Sequence, residues 1–297
     1  MKYALGIDIG GARIKALAVT PLGRKLAETA TATGDDGKKN WIMNVRLAKS
    51  HIEQSLGCLP TWIGLAAPGL VANDQCSIRS MPGRLPGLEG LIWRKFLNSA
   101  GPVSVLNDAQ AALAGEVWRG AARGAQNAIL LTLGTGVGGA ALVDGRLLRG
   151  HLGRAGHFGH ISLDPAGGLD IAHTPGSLED AIGECSIRSR SQGRFASTRA
   201  LVTASNRNDP AARRIWLESV QALAAGIASL INVLDPKIVI LGGGIAEAGP
   251  ALFRPLNQYL TSFEWRPLRT RVAVVPARLG DFAGAFGAAW NALHFQK

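Results

Sequence analysis

The apolar positions of this chain fall mostly into short runs interrupted by glycine, a pattern typical of β-strands joined by tight turns. Residues 3–9 form the first run, and alternating apolar positions from Ile14 to Val19 predict a second strand. The dipeptide Gly10-Gly11 between them supplies a flexible turn. The N-terminus is therefore predicted to be a β-hairpin.

The same arrangement of strand, glycine turn and strand recurs in the second half of the chain. Residues 128–133 predict a strand, residues 134–139 a glycine-rich turn, and residues 140–143 a returning strand. A repeat of this kind indicates two related α/β domains that face one cleft. Nucleotide and substrate are expected to meet in that cleft.

Chain length agrees with two domains, because 297 residues exceed the usual size of about 100–200 residues for one domain. We expect a smaller N-terminal α/β domain of residues 1–107 plus 282–297 and a larger C-terminal α/β domain of residues 108–281. The other predicted strands are 62–67, 103–106 and 237–241, and the predicted helices are 46–56, 109–118, a long one from Asp209-Pro210 past Trp216, and 282–293.

Composition limits the class of protein. Hydrophobic residues make up 47% of the chain and charged residues 18%, which suits a folded enzyme rather than a disordered chain. Asp8 interrupts the first apolar run, so neither a signal peptide nor a membrane span is expected, and we predict a cytoplasmic protein. Three widely spaced cysteines fit reduced thiols better than disulfides or a metal pair.

The net charge of +11 raises the question of nucleic acid. The arginines are scattered, however, and the densest group, from Arg188 to Arg199, contains Phe195 as its single aromatic residue. A solvated basic surface is the preferred interpretation, and no nucleic-acid partner is expected.

Glycine is the strongest compositional departure, with 38 residues, close to twice the usual share of about 7%. Backbone N–H groups without a neighbouring Cβ can approach phosphate closely, which makes three glycine clusters candidate phosphate or nucleotide contacts. A plain hairpin turn also explains Gly10-Gly11, and helix–strand packing also explains Gly242-Gly243-Gly244, whereas the cluster at 134–139 is the denser signal. The candidates are Gly10, Gly11, Gly134, Thr135, Gly136, Gly243 and Gly244.

Two carboxylates accompany these clusters. Asp8 lies on the strand before Gly10 and can hold Mg²⁺ or a water bound to it. Asp108 follows Asn107 at the end of a strand, where a carboxylate and an amide can accept from and donate to a sugar hydroxyl. Capping of the helix at 109–118 is an equally good explanation of Asp108 in isolation.

Taken together, these motifs carry a resemblance to a known family. Their order and spacing resemble the ROK family of sugar kinases along nearly the whole chain. The motifs are Asp8-Ile9-Gly10-Gly11, Leu106-Asn107-Asp108-Ala109, Leu133-Gly134-Thr135-Gly136-Val137-Gly138-Gly139, Ala155-Gly156-His157-Phe158-Gly159-His160 and Leu241-Gly242-Gly243-Gly244.

The resemblance implies an α/β, actin-like and hexokinase-like fold of two domains that close over ATP, Mg²⁺ and a sugar. It implies that Asp108 is the general base for the attacking hydroxyl, often the one on carbon six. It also implies a homo-oligomer, dimer or tetramer. The implied sugar ligands are Gly69, Asn107, His157, His160 and Glu179, and the implied phosphate hairpin includes Ala12 and Arg13.

Three departures from the family pattern affect what is expected. The three cysteines that usually bind zinc are replaced in the segment from Asp170 to Glu179. His160, Asp170 and His173 remain as nitrogen and oxygen donors, but no zinc is expected because the thiolates are missing. His157 stands where relatives have Glu, which suggests a changed sugar. Ala12-Arg13 replaces Thr-Lys, so one hydroxyl is lost while the positive charge is kept.

Two functions remain open from the sequence. The first is an ATP-dependent kinase for a hexose or hexose-like sugar, with Asp108 as base. The second is a weakly active or inactive sugar sensor of the same fold, suggested by the lost cysteines, Ala12 and His157. The chain starts directly at the phosphate hairpin, so no helix-turn-helix for DNA is expected.

Overall fold

The computed structural model describes residues 1–295. The strands are β1 (Ala4–Ile9), β2 (Arg13–Val19), β3 (Lys25–Ala32), β4 (Trp62–Ala67), β5 (Leu70–Val71), β6 (Ile78–Ser80), β7 (Val103–Asn107), β8 (Ala128–Leu133), β9 (Val137–Val143), β10 (Arg146–Leu147), β11 (Ile238–Gly242) and β12 (Ala273–Pro276). The helices are α1 (Asn40–Leu56), α2 (Trp93–Phe96), α3 (Asp108–Arg119), α4 (Leu178–Ile182), α5 (Ile187–Arg190), α6 (Thr198–Asn206), α7 (Pro210–Leu234), α8 (Pro250–Phe263) and α9 (Ala283–His294). Single turns of 3₁₀ helix lie at Phe158–His160, Glu184–Ser186, Gly244–Ala248, Pro267–Arg269 and Gly280–Phe282.

The chain forms two compact units. Unit 1 contains Met1–Gly124, Arg149–Ala155 and the segment that begins at Arg278, and unit 2 contains Ala125–Leu148 and Gly156–Ala277. These units differ from the predicted domains, because α3 and residues 149–155 belong to unit 1. The physical reason for α3 is its packing against α9, which is the most extensive contact between any two elements of the chain.

Unit 1 is built on a five-stranded sheet in the order β3-β2-β1-β4-β7. The predicted N-terminal hairpin is confirmed: β1 and β2 pair antiparallel from Ala4 opposite Val19 to Ile9 opposite Ile14. Strands β4 and β7 continue the sheet in parallel. Helix α1 covers one face with a buried stripe that starts at Trp41, which explains why the helix begins six residues before the predicted position.

Helix α9 lies directly on the other face of this sheet because glycines remove the side chains that would separate them. A Cβ on Gly6 of β1 would lie 1.9 Å from the backbone oxygen of Ala285, and one on Gly64 of β4 would lie 1.9 Å from that of Ala288. Helix α3 meets α9 in the same way, since a Cβ on Gly287 would lie 1.7 Å from the oxygen of Ala111. Backbone contact of this kind tolerates no side chain larger than hydrogen.

Unit 2 repeats the plan with a five-stranded sheet in the order β10-β9-β8-β11-β12. The second predicted hairpin is confirmed, although β9 begins at Val137 rather than at residue 140. Helix α7 supplies the largest share of the core, and it starts with an Asp209 side chain that accepts from Ala212 N, followed by Pro210 at the first helical position. Within the described residues, α7 alone has the length and apolar composition of a membrane span, and half of that stretch is buried against the protein.

Candidate active site

The carboxyl end of β7 carries the predicted base in unit 1. Asn107 is the residue that caps α3, because its side-chain oxygen accepts from Ala109 N at 3.0 Å. Asp108 is instead the first residue of the helix, is exposed, and accepts from the same N–H at 2.8 Å. The alternative role of Asp108 as the cap is therefore corrected: its neighbour makes the cap and leaves the Asp108 carboxylate at the surface of the unit.

Asn107 also connects this helix start to Gly69. Its amide nitrogen donates to the Gly69 carbonyl at 3.2 Å, while its side chain is almost fully buried. Gly69 has a φ of +98°, and a Cβ there would lie 2.5 Å from the oxygen of Ser80. The turn after β4 therefore requires glycine, and it fixes the amide plane of Asn107 next to Asp108.

A group of charges lies around Asp8 on β1. Lys15 Nζ is 4.0 Å from an Asp8 oxygen and 4.0 Å from an Asp281 oxygen, and Arg13 forms an ion pair with Asp281. The pKa of Asp8 is raised to about 7, chiefly by burial; Lys15 opposes the rise, and the carboxylates of Asp108 and Asp281 add to it. Asp8 is thus a buried carboxyl with two acidic neighbours, an environment that a divalent cation would relieve.

The turn between β1 and β2 is fixed by hydrogen bonds within the turn and from Thr33. Gly10 N donates to Arg13 O at 3.1 Å, and Thr33 Oγ1 donates to the Gly10 carbonyl at 2.6 Å. Ala12 is an exposed residue, and its carbonyl accepts from Thr33 N at 2.9 Å. A Cβ on Gly11 would lie 2.8 Å from the Arg84 guanidinium, so a second arginine reaches this turn besides Arg13.

The matching turn in unit 2 joins β8 to β9. Gly134 N donates to the Gly136 carbonyl at 2.9 Å, and Thr135 lies exposed between them. Glu179, from the first turn of α4, accepts from Val137 N at 2.8 Å. A Cβ on Gly136 would lie 2.1 Å from that carboxylate, so the Glu179 side chain packs directly against the turn.

A pocket of about 480 Å³ in unit 2 adjoins this turn. Gly134, Thr135 and Gly244 line it, so the structure brings two of the three predicted glycine clusters together. Gly243 lies just before Gly244 with a φ of +84°, and a Cβ there would lie 2.4 Å from the Leu133 oxygen. Its close approach to β8 places the loop after β11 beside the β8–β9 turn.

The rest of the pocket comes from residues that no sequence motif marks. Val202 and Ile245 give it an apolar side, and Glu184 gives it a carboxylate that accepts from Thr198 N at 2.8 Å. The hydroxyl of Thr198 is buried and has no hydrogen-bond partner within residues 1–295. A pocket of this size with both an apolar side and polar groups suits a small-molecule ligand.

His160 belongs to a network centred on Asp170. The Nδ1 atom of His160 is 2.8 Å from one oxygen of Asp170, whose other oxygen accepts from Ala172 N and Thr174 N, each at 2.8 Å. Burial of Asp170 raises its pKa, but the hydrogen bonds from His160 and the backbone outweigh burial and lower the pKa to about 2. His157 lies just before the 3₁₀ turn that contains His160.

Comparison with known proteins identifies the family. The model described as "ROK family" matches residues 4–294. This chain belongs to the ROK family. The predicted resemblance is confirmed along almost the entire length.

Individual ROK relatives agree with this assignment. A glucokinase from Thermotoga maritima is 30% identical, with 96% of this chain and 95% of the relative covered. An N-acetylmannosamine kinase from Vibrio cholerae is 33% identical, with coverage of 97% and 98%. The structure of a ROK glucokinase from Streptomyces griseus in complex with glucose and AMPPNP has a TM-score of 0.80 at 28% identity and covers 99% of this chain and 100% of that one. These relatives confirm the predicted α/β, actin-like fold and agree with the predicted class, an ATP-dependent sugar kinase.

The segment that departs from the ROK zinc pattern is held by hydrogen bonds. No group of three His, Cys, Asp or Glu side chains suited to a metal ion occurs within the described residues. Both oxygens of Asp170 are occupied by His160 and backbone N–H groups, and His173 is exposed at a φ of +61°. Structural zinc sites are usually built from thiolate and imidazole ligands, and the segment from Asp170 to Glu179 contains no cysteine.

Proposed function

We propose that this ROK protein transfers a phosphoryl group from ATP to a hydroxyl of a hexose or hexose-like sugar, with the 6-hydroxyl as acceptor and Asp108 as general base. The observation that carries the proposal is the exposed carboxylate of Asp108 on the first turn of α3, beside an amide that Gly69 holds in place. The names of the relatives support phosphorylation of sugars.

The position of Asp108 suits a general base for electrostatic reasons. The N-terminus of a helix stabilises negative charge, so it favours the ionised form that accepts a proton. The bond from Ala109 N to one carboxylate oxygen orients the group at the start of the helix, where we propose that it accepts the proton of the sugar hydroxyl. Asn107 cannot replace it, because both ends of its amide are engaged by Ala109 N and the Gly69 carbonyl.

We assign ATP to the 480 Å³ pocket of unit 2. Its apolar side suits a purine, and the backbone N–H groups of Thr135 and Gly136, in the turn that starts at Gly134, suit phosphate. Gly243 and Gly244 complete the loop beside it. The second proposed phosphate contact is the β1–β2 turn of unit 1, which contains Gly10, Gly11, Ala12 and Arg13.

Mg²⁺ fits the carboxyl group of Asp8. Hard carboxylate oxygen is the donor that this ion prefers, and one or two carboxylates with phosphate oxygens normally suffice to hold it. The cation would supply charge neutralisation to the phosphates. Because the pKa of Asp8 is about 7, the ionised form that binds a cation becomes dominant only above neutral pH when no cation is present.

The remaining proposed sugar ligands differ in how firmly they are held. Asp170 binds Nδ1 of His160, and with the proton on Nδ1 the Nε2 atom is an acceptor for a sugar hydroxyl. Glu179 keeps one oxygen on Val137 N, which leaves the other for a sugar. His157 replaces a carboxylate with an imidazole that carries one donor and one acceptor, so we infer a sugar whose substituents at carbon one or two differ from those of glucose.

A coupled ADP-release assay with a panel of aldoses, ketoses, amino sugars and cyclitols tests this proposal. D108N should lower kcat on the best sugar by about 10²–10⁴-fold while ATP binding is retained. The matched control is D164N, which changes an exposed carboxylate that only accepts from Ala166 N and should turn over at the wild-type rate. Turnover by D108N equal to that of wild type would remove Asp108 as the base, and sugar binding without turnover would favour the sensor.

A further inference from the structure

A second pocket lies in unit 1 and is formed by none of the residues assigned above to sugar, ATP or metal. Its volume is about 400 Å³, which falls within the range of small-molecule sites. One side is the segment after β5, including Asn73 and Gln75, and the other is the loop that contains Arg149 and His151. Gln110 of α3, which is almost fully buried, closes the pocket.

Glycines hold the loop of Arg149 against β5. Gly150 and Gly153 have φ values of +69° and +81°, and a Cβ on Gly153 would lie 3.2 Å from the Val71 oxygen. The Arg149 carbonyl accepts from Ala155 N at 3.2 Å, which closes the loop on itself. The position of the Arg149 backbone is therefore defined by contacts within unit 1.

Arg149 carries a charge that the protein does not neutralise. Its guanidinium is half-buried, and within residues 1–295 it forms no ion pair or hydrogen bond. Burial alone lowers the pKa of Arg149, and no neighbouring carboxylate counteracts that effect. A guanidinium remains protonated under these conditions and offers five N–H donors.

The other residues of the pocket leave this charge uncompensated. No acidic side chain is among the described residues that line it. Asp74 is close in sequence, but its carboxylate accepts from Cys76 N at 3.0 Å instead of facing the pocket. The amides of Asn73 and Gln75 add neutral donors, and the imidazole of His151 adds ring nitrogens that can form hydrogen bonds. The pocket is thus suited to a negatively charged guest that also bears hydroxyls or other polar groups.

We propose that this pocket binds a small polar molecule through a carboxylate or phosphate that pairs with the Arg149 guanidinium. Arginine pairs with both oxyanions through two parallel N–H bonds, and partial burial strengthens such a pair relative to one in water. The site takes an anion in addition to the sugar and ATP, and it does not depend on the chemistry proposed for Asp108.

Calorimetric titration of the full chain at constant ionic strength tests the proposal. Inorganic phosphate is the phosphate probe, gluconate is the carboxylate probe, and glucose is the uncharged reference for gluconate. R149M removes the charge and keeps a side chain of similar length. R146M is the matched control, since Arg146 is an exposed arginine three residues away that does not line the pocket.

We expect at least one of the two anions to bind wild type and R146M, and R149M to bind it about tenfold or more weakly, because a bond between charged partners is lost. The anion that binds more tightly identifies which source of negative charge the pocket takes. A72L, which fills the pocket from a lining position without changing charge, should show the same loss and decides the question if R149M does not fold.

The proposal is overturned if neither anion binds wild type, or if R149M and A72L both bind as wild type does. It is equally overturned if R146M loses as much affinity as R149M, because the effect would then come from the general positive charge of the protein. The reference titration with glucose shows whether gluconate binds through its carboxylate or through its hydroxyls.

Discussion

Replacement of Asp170 by Asn gives the sharpest stability prediction, because three hydrogen bonds converge on this fully buried carboxylate. The pKa of Asp170 falls from its usual 3.8 to about 2. A shift of that size corresponds to about 2–3 kcal/mol in favour of the ionised folded state at pH 7. In D170N, an amide nitrogen or oxygen faces His160 Nδ1 in place of the carboxylate oxygen. We therefore expect D170N to lower the free energy of unfolding by at least about 2–3 kcal/mol.

The pH dependence separates charge from packing. Since the folded pKa is depressed, the stability from the carboxylate is present above the unfolded value of 3.8 and is lost as the pH falls towards 2. Urea denaturation of wild type and D170N should therefore differ by a constant amount from pH 7 to pH 5, and the difference should shrink between pH 4 and pH 2. D164N, with an exposed carboxylate in the same loop, should differ little from wild type. A gap that is equally wide at low pH would refute the electrostatic explanation.

Three further changes have defined outcomes. D8N should become more stable relative to wild type as the pH rises from 4 to 7, by up to about 4 kcal/mol. The reason is that the folded wild type, in which the pKa of Asp8 is about 7, loses stability as this carboxyl is forced to ionise. A difference in the free energy of unfolding, measured by urea denaturation, that stays constant across this range would contradict the prediction. G287A should cost roughly 1–3 kcal/mol or more, measured by urea denaturation, since its Cβ would collide with the backbone of α3, whereas G101A, with open space around it, should change little. G136A should displace the Glu179 carboxylate and raise the KM for ATP or sugar in the ADP-release assay, and unchanged kinetics would show that the turn adapts.

The two glycine hairpins were predictable because their information is local. Alternating apolar residues and a glycine turn specify a hairpin within about fifteen residues, and both were found with the expected pairing. The cap of α3 was not predictable, since Asn107 and Asp108 are adjacent and both are good capping residues. Only the backbone geometry distinguishes the one that caps from the one that is left exposed.

The nucleotide pocket and the network around Asp170 depend on distant segments. Thr198 and Val202 lie on a short helix without any motif, and they reach the pocket only because α6 packs on α7. Asp170 lies in an irregular loop whose hydrogen bonds form after the chain has turned back on itself. The sequence does mark segments in which charged residues and glycines occur together as candidate sites. It does not show which residues from distant segments complete each site.

The packing of α9 on the first strands has a consequence for biosynthesis. Ala4, Leu17 and Val19 are buried against Ala285 and Ala289, which are synthesised after the whole of unit 2. Unit 2 is nearly continuous in sequence and can acquire its core during translation, whereas the first strands of unit 1 must wait for α9. A nascent chain that stalls before α9 would expose an apolar sheet face, so we expect such truncated chains to be targets for chaperones or proteases.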